Sequence, residues 1–587
     1  MSRYARISAW ALALVVCSTG HGLTFHVTTW QDLPAINPGD GTALTEDGEV
    51  TLRSALQEAN AQPGPDRIEF HEFFQTGVSV THTLSIEDDL VIVNYASYRN
   101  VLHAEGSTPF RFFEVAPGTT LVMDNVLAGR TGVSLIRADV GAMMYVAPGA
   151  VVELRSCQFT GSVAESYGGG IYLDRATAII DYLQMDAFAG MDGGGIYNDR
   201  GTVILNGSLL GSETAGGNGG NLYNNEGTVI IHRAGLGGGS AEGLGGVLFS
   251  NGGTVTMTAG RIAFGVANAG GGIYLANGAD LRMSRTKVLE STASASGAGI
   301  HIESGSLVAT QCSFSENETE GPGGGVYIVE GNSASFVNCT FTANTAALGG
   351  GLYVSPGASA TLGNSVLAGN MAQGEYTDLW GTINMLGHNL IGVAPTGLTA
   401  FLQGTVDNPL DPMLRYHELY PGTGRLIFLY IPETGSPLID AGENALLSNP
   451  AFIGSQCVDA ANMSRLRNEV IDIGAGEFQG GTEQAPCGGH SADTQNTGQI
   501  DLSALLRVIQ LYNAGGLHCD MDGEDGYAPG EDATAQACTP HSSDYNPQDW
   551  RIDLNELLRV IQFYNTGGYT PCPDSGTEDG FCPSSGL

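Results

Sequence analysis

The sequence predicts an all-β fold, a right-handed parallel β-helix (a β-solenoid of about 26 residues per coil), followed by a small α-helical module. Three observations predict it. Short glycine clusters recur at a nearly constant interval, each followed by an aliphatic and usually an aromatic residue. Alternating runs of strand-forming residues lie between the clusters. Beyond Gly480 the period changes, and a helix-like segment occurs twice.

The clusters are Gly168-Gly169-Gly170-Ile171-Tyr172, Gly193-Gly194-Gly195-Ile196-Tyr197, Gly219-Gly220-Asn221-Leu222-Tyr223, Gly245-Gly246-Val247-Leu248-Phe249, Gly270-Gly271-Gly272-Ile273-Tyr274, Gly297-Ala298-Gly299-Ile300-His301, Gly323-Gly324-Gly325-Val326-Tyr327 and Gly349-Gly350-Gly351-Leu352-Tyr353. Their last residues are spaced by 25, 26, 26, 25, 27, 26 and 26. Tyr145 lies 27 before Tyr172, and Trp380 lies 27 after Tyr353. A helical repeat is excluded by the glycine triplets, which cost heavily in helix interiors. Runs such as Thr228-Val229-Ile230-Ile231 and Thr254-Val255-Thr256-Met257 read as strands of period two. Three short strands and three turns then make one coil, each coil bonded to the next at roughly 4.8 Å, so that the nine intervals from Tyr145 to Trp380 span about 43 Å.

Residues one coil apart become vertical neighbours. Ile171 and its equivalents form an unbroken aliphatic column expected to face inward. Cys157 and Phe159, Cys312 and Phe314, and Cys339 and Phe341 share another phase and are expected inside. Cys312 and Cys339 stack within disulfide reach, and a column of free buried thiols is the expectation.

Composition agrees with many tight turns: Gly is 86 of 587 residues with no collagen period. The net charge is −38, and Lys287 is the one lysine. Such a field repels nucleic acid, so no nucleic-acid partner is expected, and it attracts cations. Arg3 and Arg6, the apolar run Ala9 to Cys17 and the small residues Ser18 to Gly20 read as a secretory signal over 1–22. No later stretch reads as a transmembrane segment. The expected divisions are 1–22 signal, 23–115 N-terminal cap and first coils, 116–400 β-helix repeats, 401–480 last coils and cap, and 481–587 the C-terminal module.

The glycine motifs, together with Phe314-Ser315-Glu316-Asn317 and Phe341-Thr342-Ala343-Asn344, resemble repeats of polymorphic outer-membrane-type β-helix proteins. Thr24-Phe25-His26-Val27-Thr28-Thr29, Thr51 to Asn60 and Asp66-Arg67-Ile68-Glu69-Phe70 resemble the CSLREA segment of secreted bacterial β-helix proteins, without its cysteine. There Leu52, Ala55, Leu56 and Ala59 form one helical face, with Thr51 as cap, suited to closing the open end of a solenoid. Asp378-Leu379-Trp380-Gly381, Leu386 to Gly392, Gly435 to Gly442 and Asp472-Ile473-Gly474-Ala475-Gly476-Glu477-Phe478 resemble the choice-of-anchor Q family. These resemblances imply a secreted or cell-surface bacterial β-helix and name no reaction.

In the C-terminal module, Ile500 to Asn513 returns as Ile552 to Asn565, at an offset of 52. A polar loop before a helix, present twice, resembles a type I dockerin, with half EF-hand calcium loops and a cohesin-like protein partner implied. Counting back from Ile500, the first loop offers Asp493, Gln495, Thr497 and Asp501, with Ala504 where a bidentate acid belongs. The second offers Asp544, Asn546, Asp549, Asp553 and Glu556. Ca2+ is the expected cofactor, because hard cations take oxygen ligands; solvated acidic turns are the plain alternative. Matching positions in the two repeats suggest disulfides Cys487–Cys519 and Cys538–Cys572, with Cys582 left over.

Candidate chemistry on the solenoid is sparse. Asp174-Arg175 and Asp199-Arg200, 25 apart, would stack on adjacent coils, either as carboxylates sharing a proton or as neutralised ion pairs. Tyr172, Tyr197, Tyr223, Phe249, Tyr274, Tyr327 and Tyr353 form a stripe able to stack sugar rings or each other. The functional expectation is a surface- or polysaccharide-binding, adhesin-like protein attached through its C-terminal module. A polysaccharide lyase or glycoside hydrolase, and a non-enzymatic assembly component, are the alternatives.

Overall fold

The computed structural model describes residues 22–583, apart from 72–73, 75, 97–99, 130–135, 373–374, 396, 399, 420–426, 449–458, 461–464, 466–469, 479–490, 494–498, 521–526, 531, 533–540, 546–548, 567 and 572–580. Three parallel sheets of 14, 23 and 12 strands run along one axis, and each coil contributes to all three. The expected β-helix is therefore present, and it begins earlier than the glycine clusters, with Thr24–His26 paired to Asp66–Phe70.

Register follows the columns. On the third sheet Leu84, Phe113, Met144, Ile171, Ile196, Leu222, Leu248, Ile273, Ile300, Val326, Leu352 and Leu379 are successive Cα partners. From Ile171 to Leu379 every member is fully buried. A one-residue slip would turn the whole aliphatic set to solvent, so the hydrophobic pattern holds the register. At about 1.5–3 kcal/mol for each large aliphatic side chain buried, these columns are the main source of cohesion. The expected interior cysteines are there too: Cys312 and Cys339 are buried, free thiols.

The glycine clusters have a steric cause. Gly193 opens its cluster with φ +68°, a left-handed turn that other residues resist. A Cβ on Gly194 would stand 2.3 Å from the Gly220 carbonyl oxygen of the next coil.

One corner of the core is polar. Asn317, Asn344 and Asn370 stack on successive coils, fully buried. The Asn317 Nδ2 donates to Asn344 Oδ1 at 2.9 Å, and the Asn344 Nδ2 donates to Asn370 Oδ1 at 2.8 Å. Asp378 ends the ladder, accepting from the Asn370 backbone N and Nδ2, both at 2.9 Å. Each asparagine also donates through Nδ2 to a backbone carbonyl of the preceding coil, Val288, Phe314 and Phe341 in turn, which satisfies groups that the turn leaves without sheet partners.

Helix α1 (Leu52–Ala61) lies at the N-terminal end, with Leu52, Ala55, Leu56 and Ala59 buried. The Thr51 hydroxyl accepts from Ser54 N and Ser54 Oγ accepts from Thr51 N, a reciprocal cap. Beyond the last coils, the hairpin Leu414–Leu419 with Ile427–Pro432 and residues 470–478 pack on the outside of the second sheet. Tyr430 OH donates to Glu316 at 2.8 Å, and Ala475 N donates to Thr340 Oγ1 at 2.9 Å. Lys287 is covered there and donates to the Ala460 carbonyl.

The C-terminal part holds α2 (Leu502–Asn513) and α3 (Leu554–Asn565), capped by Asp501 and Asp553. Their inner faces, Val508 and Leu511 with Val560 and Phe563, share a separate small core. Among the described residues no helix is long and apolar enough to cross a membrane.

Candidate functional site

Asp174 and Asp199 are Cα partners on adjacent coils. Each carboxylate is bound by the arginine that follows it: Arg175 Nε reaches Asp174 Oδ1 at 2.8 Å, and Arg200 reaches Asp199 Oδ2 at 2.8 Å. The Arg175 hydrogen bond holds the Asp174 carboxyl below its ordinary value. Asp174-Arg175 and Asp199-Arg200 thus form a stacked ladder on the surface in which each acid is bound by its own arginine. That ladder continues as Asn225 and Asn251, with Asn225 Nδ2 on Asp199 Oδ1 at 2.8 Å and Asn251 Nδ2 on Asn225 Oδ1 at 2.8 Å.

The aromatic stripe is a continuous stack. Tyr172–Tyr197, Tyr197–Tyr223, Tyr223–Phe249 and Phe249–Tyr274 have ring centroids 5.2, 4.7, 4.8 and 5.4 Å apart and near-parallel planes. His301, Tyr327 and Tyr353 extend it, and Trp380 ends it. Each ring face between the ends meets the ring of a neighbouring coil. Tyr172, Tyr197, Tyr223, Phe249, Tyr274, Tyr327 and Tyr353 thus lie against one another's rings along the solenoid. Tyr223, Phe249 and Tyr274 are under 10% exposed.

An open concave surface lies on the second sheet. An open groove of about 570 Å³ is lined by Glu242, Val266, Asn268, Ser294, Glu318 and Glu320, with Ala241, Ala267 and Ala293 as its floor. Alternation in Val266–Ala269 and over Thr292 to Ser294 sends Ala267 and Ala293 inward and Val266, Asn268 and Ser294 outward. The small inward residues keep the floor flat. Ser294 Oγ donates to Asn268 Oδ1 at 2.9 Å. Glu318, on the strand Glu318–Thr319, and Glu320 just after it both face solvent. Sequence reasoning missed this groove, because alanine, serine and threonine carry no signature; the available signal was the outward column Ser240, Val266, Thr292 and Glu318.

Several other ionisable groups are tied into the fold. Burial pushes Glu213 up to about 8 and Asp378 up to about 6. His388 binds the Ala441 carbonyl through Nδ1 at 2.8 Å and stacks on Phe401. The motif at 472–478 is a buried knot: Asp472 accepts from Asp440 N and Phe478 N, while Arg465 donates to the Asp472 and Gly474 carbonyls.

In the C-terminal loops, Asp501 and Asp553 cap the helices, accepting from Ala504 N at 2.7 Å and Glu556 N at 2.9 Å. Asp493 accepts from Tyr569 OH at 2.9 Å. Asp544 is fully buried, and its two oxygens accept from Asp549 N and Trp550 N at 2.9 and 2.8 Å. Burial pushes its carboxyl up to about 6. Glu556 accepts from Tyr545 N and Asp553 N, both at 2.8 Å. Gln495, Thr497 and Asn546 lie outside the described residues, as do Cys487, Cys538 and Cys572. Cys519 is disulfide-bonded.

The family model for a right-handed β-helix region matches residues 243–408. No curated protein and no solved structure matches the chain. The matched residues include the groove coils and the asparagine ladder, and they agree with the stacked register on a right-handed β-helix.

Proposed function

We propose that this protein is a non-catalytic binding scaffold at a bacterial cell surface, holding an extended, hydroxyl-rich chain such as a polysaccharide along the groove of the second sheet. The observation that carries this reading is the groove itself, an open channel with a flat alanine floor and a polar rim of Glu242, Asn268, Ser294, Glu318 and Glu320. Its walls step at about 4.8 Å per coil, so a polymer along the axis passes Ser240, Val266, Thr292 and Glu318 in turn. Binding of plant and algal polysaccharides to the parent and to Asn268→Ala/Ser294→Ala tests it. Saturable binding without turnover, weakened in the variant, is expected. Turnover would replace this reading with a lyase or hydrolase, and Glu318 and Glu320 would then be the first acids to substitute.

A second reading concerns attachment. Leu502 and Leu506 on α2 and Leu554 and Leu558 on α3 are each more than half exposed, at positions related by the offset of 52. Two equivalent apolar faces support docking to a cohesin-like protein, with Ca2+ held by Asp544, Asp549, Asp553 and Glu556. In titrations with a cohesin domain, Leu506→Glu and Leu558→Glu together abolish binding, while either alone leaves one face working. Loss of binding on chelation, restored by calcium, is expected; binding indifferent to both would remove the attachment reading.

A further inference from the structure

The outer face of the first sheet carries a group of three metal-ligating side chains near the N-terminal end of the solenoid. His26 closes the strand Thr24–His26 and is the Cα partner of Glu69. His71 follows the strand Asp66–Phe70 two positions after Glu69 and lies on the same face. Phe25, Ile68 and Phe70 point the other way, buried in the core, so the rigid sheet fixes the three outward positions. Glu69 Oε2 is 3.4 Å from His26 Nδ1 and 2.7 Å from His71 Nε2, and one ligand atom of each residue lies within 4.8 Å of the others. Among the described residues it is the one such group of three.

The surroundings orient it. Arg67 Nε holds the other oxygen, Oε1, of Glu69, leaving Oε2 turned to the two imidazoles. Arg67 also donates to Tyr95 OH at 2.5 Å, and the Tyr95 ring lies 5.3 Å from the His71 ring. Fixing a ligating carboxylate through its second oxygen is how outer contacts preorganise a metal site.

We propose that His26, Glu69 and His71 bind one borderline transition-metal dication of the zinc class, with a coordination position open to solvent. Imidazole and carboxylate together suit zinc, and imidazole disfavours calcium or magnesium. Ligands at ~2.0–2.2 Å around a tetrahedral ion stand ~3.3–3.5 Å apart, so the observed separations close onto one ion by small side-chain rotations. Both histidines are more than half exposed, which leaves the ion accessible to water or to an external ligand. The chain's charge of −38 draws cations toward it.

The test is titration of the untagged, metal-free full chain with Zn2+ in saturating Ca2+, which keeps oxygen-only loops occupied. One saturable site is expected, weakened at least tenfold in His26→Ala, in His71→Ala and in Glu69→Gln. Zinc absorption spectroscopy of the parent should show scattering from two imidazoles, a readout that does not depend on any variant folding. No saturable binding, affinity unchanged in both histidine variants, or a ligand shell without imidazole would each overturn the proposal.

Discussion

Replacing Asn344 by alanine removes the middle of the internal ladder. Its Oδ1 accepts from the Asn317 backbone N at 3.1 Å and Nδ2 at 2.9 Å, and its Nδ2 donates to the Phe314 carbonyl at 2.9 Å and to Asn370 Oδ1 at 2.8 Å. The site is fully buried, so the Asn317 amide loses its acceptor with no water to replace it. An orphaned buried donor costs about 1–3 kcal/mol and each further lost bond about 0.5–1.5 kcal/mol, so the expected loss is about 3–6 kcal/mol. Asn251→Ala, on the exterior ladder where water substitutes, should cost under about 1 kcal/mol. Chemical denaturation compares the two variants, and hydrogen exchange at the Asn317 amide reports the local opening. Equal destabilisation in the two variants, or unchanged exchange at Asn317, would refute the reasoning.

Other outcomes follow from the same coordinates. Gly194→Ala places a Cβ against two backbone oxygens, Gly220 O at 2.3 Å and Thr214 O at 2.5 Å, and should cost about 3 kcal/mol or more by thermal melting. Tyr223→Ala, from the middle of the aromatic stack, should lower stability by about 3 kcal/mol while leaving polysaccharide affinity unchanged; lost affinity at full stability would restore the sugar-platform reading. Asp378, raised by burial from 3.8 to about 6, contributes stability that is full below about pH 3.8 and is lost as pH rises through 6. Asp378→Asn should therefore remove about 2 kcal/mol of pH dependence between pH 4 and 6, measured as the difference in melting against the parent. That comparison cancels His232, which burial lowers to about 4 and which acts in the opposite sense.

The solenoid was legible because its register is written in residues that recur at the coil interval. The first glycine of each cluster turns left-handed, the second, replaced by Ala298 in one cluster, passes close to a carbonyl of the next coil, and the following aliphatic residue enters the core. The aromatic stripe was legible as a column, and its role followed only from ring separations of about one coil. The asparagine ladder was missed although Asn317, Asn344 and Asn370 recur at the coil interval, because a polar residue in a core column reads as surface until its partners are seen. Glu69 and His71 are far in sequence from His26, and only strand pairing brings them together. The groove escaped notice because its floor is alanine. In the C-terminal part the duplicated helices and their caps were legible from periodicity, and the leucines exposed on α2 and α3 became a feature only once the shared core had used the opposite faces.

Distance measurement between spin labels tests the stacking of coils most directly. Thr177, Thr202, Thr228, Thr254, Asp280, Ser306, Ser333 and Ser359 are successive Cα partners on the outer side of the first sheet. With one label at Thr177 and the second at Asp280, Ser306, Ser333 or Ser359, the distances should rise linearly, to about 19, 24, 29 and 34 Å at about 4.8 Å per coil. Distances that fail to grow by one constant step as the second label moves one coil further would contradict the account.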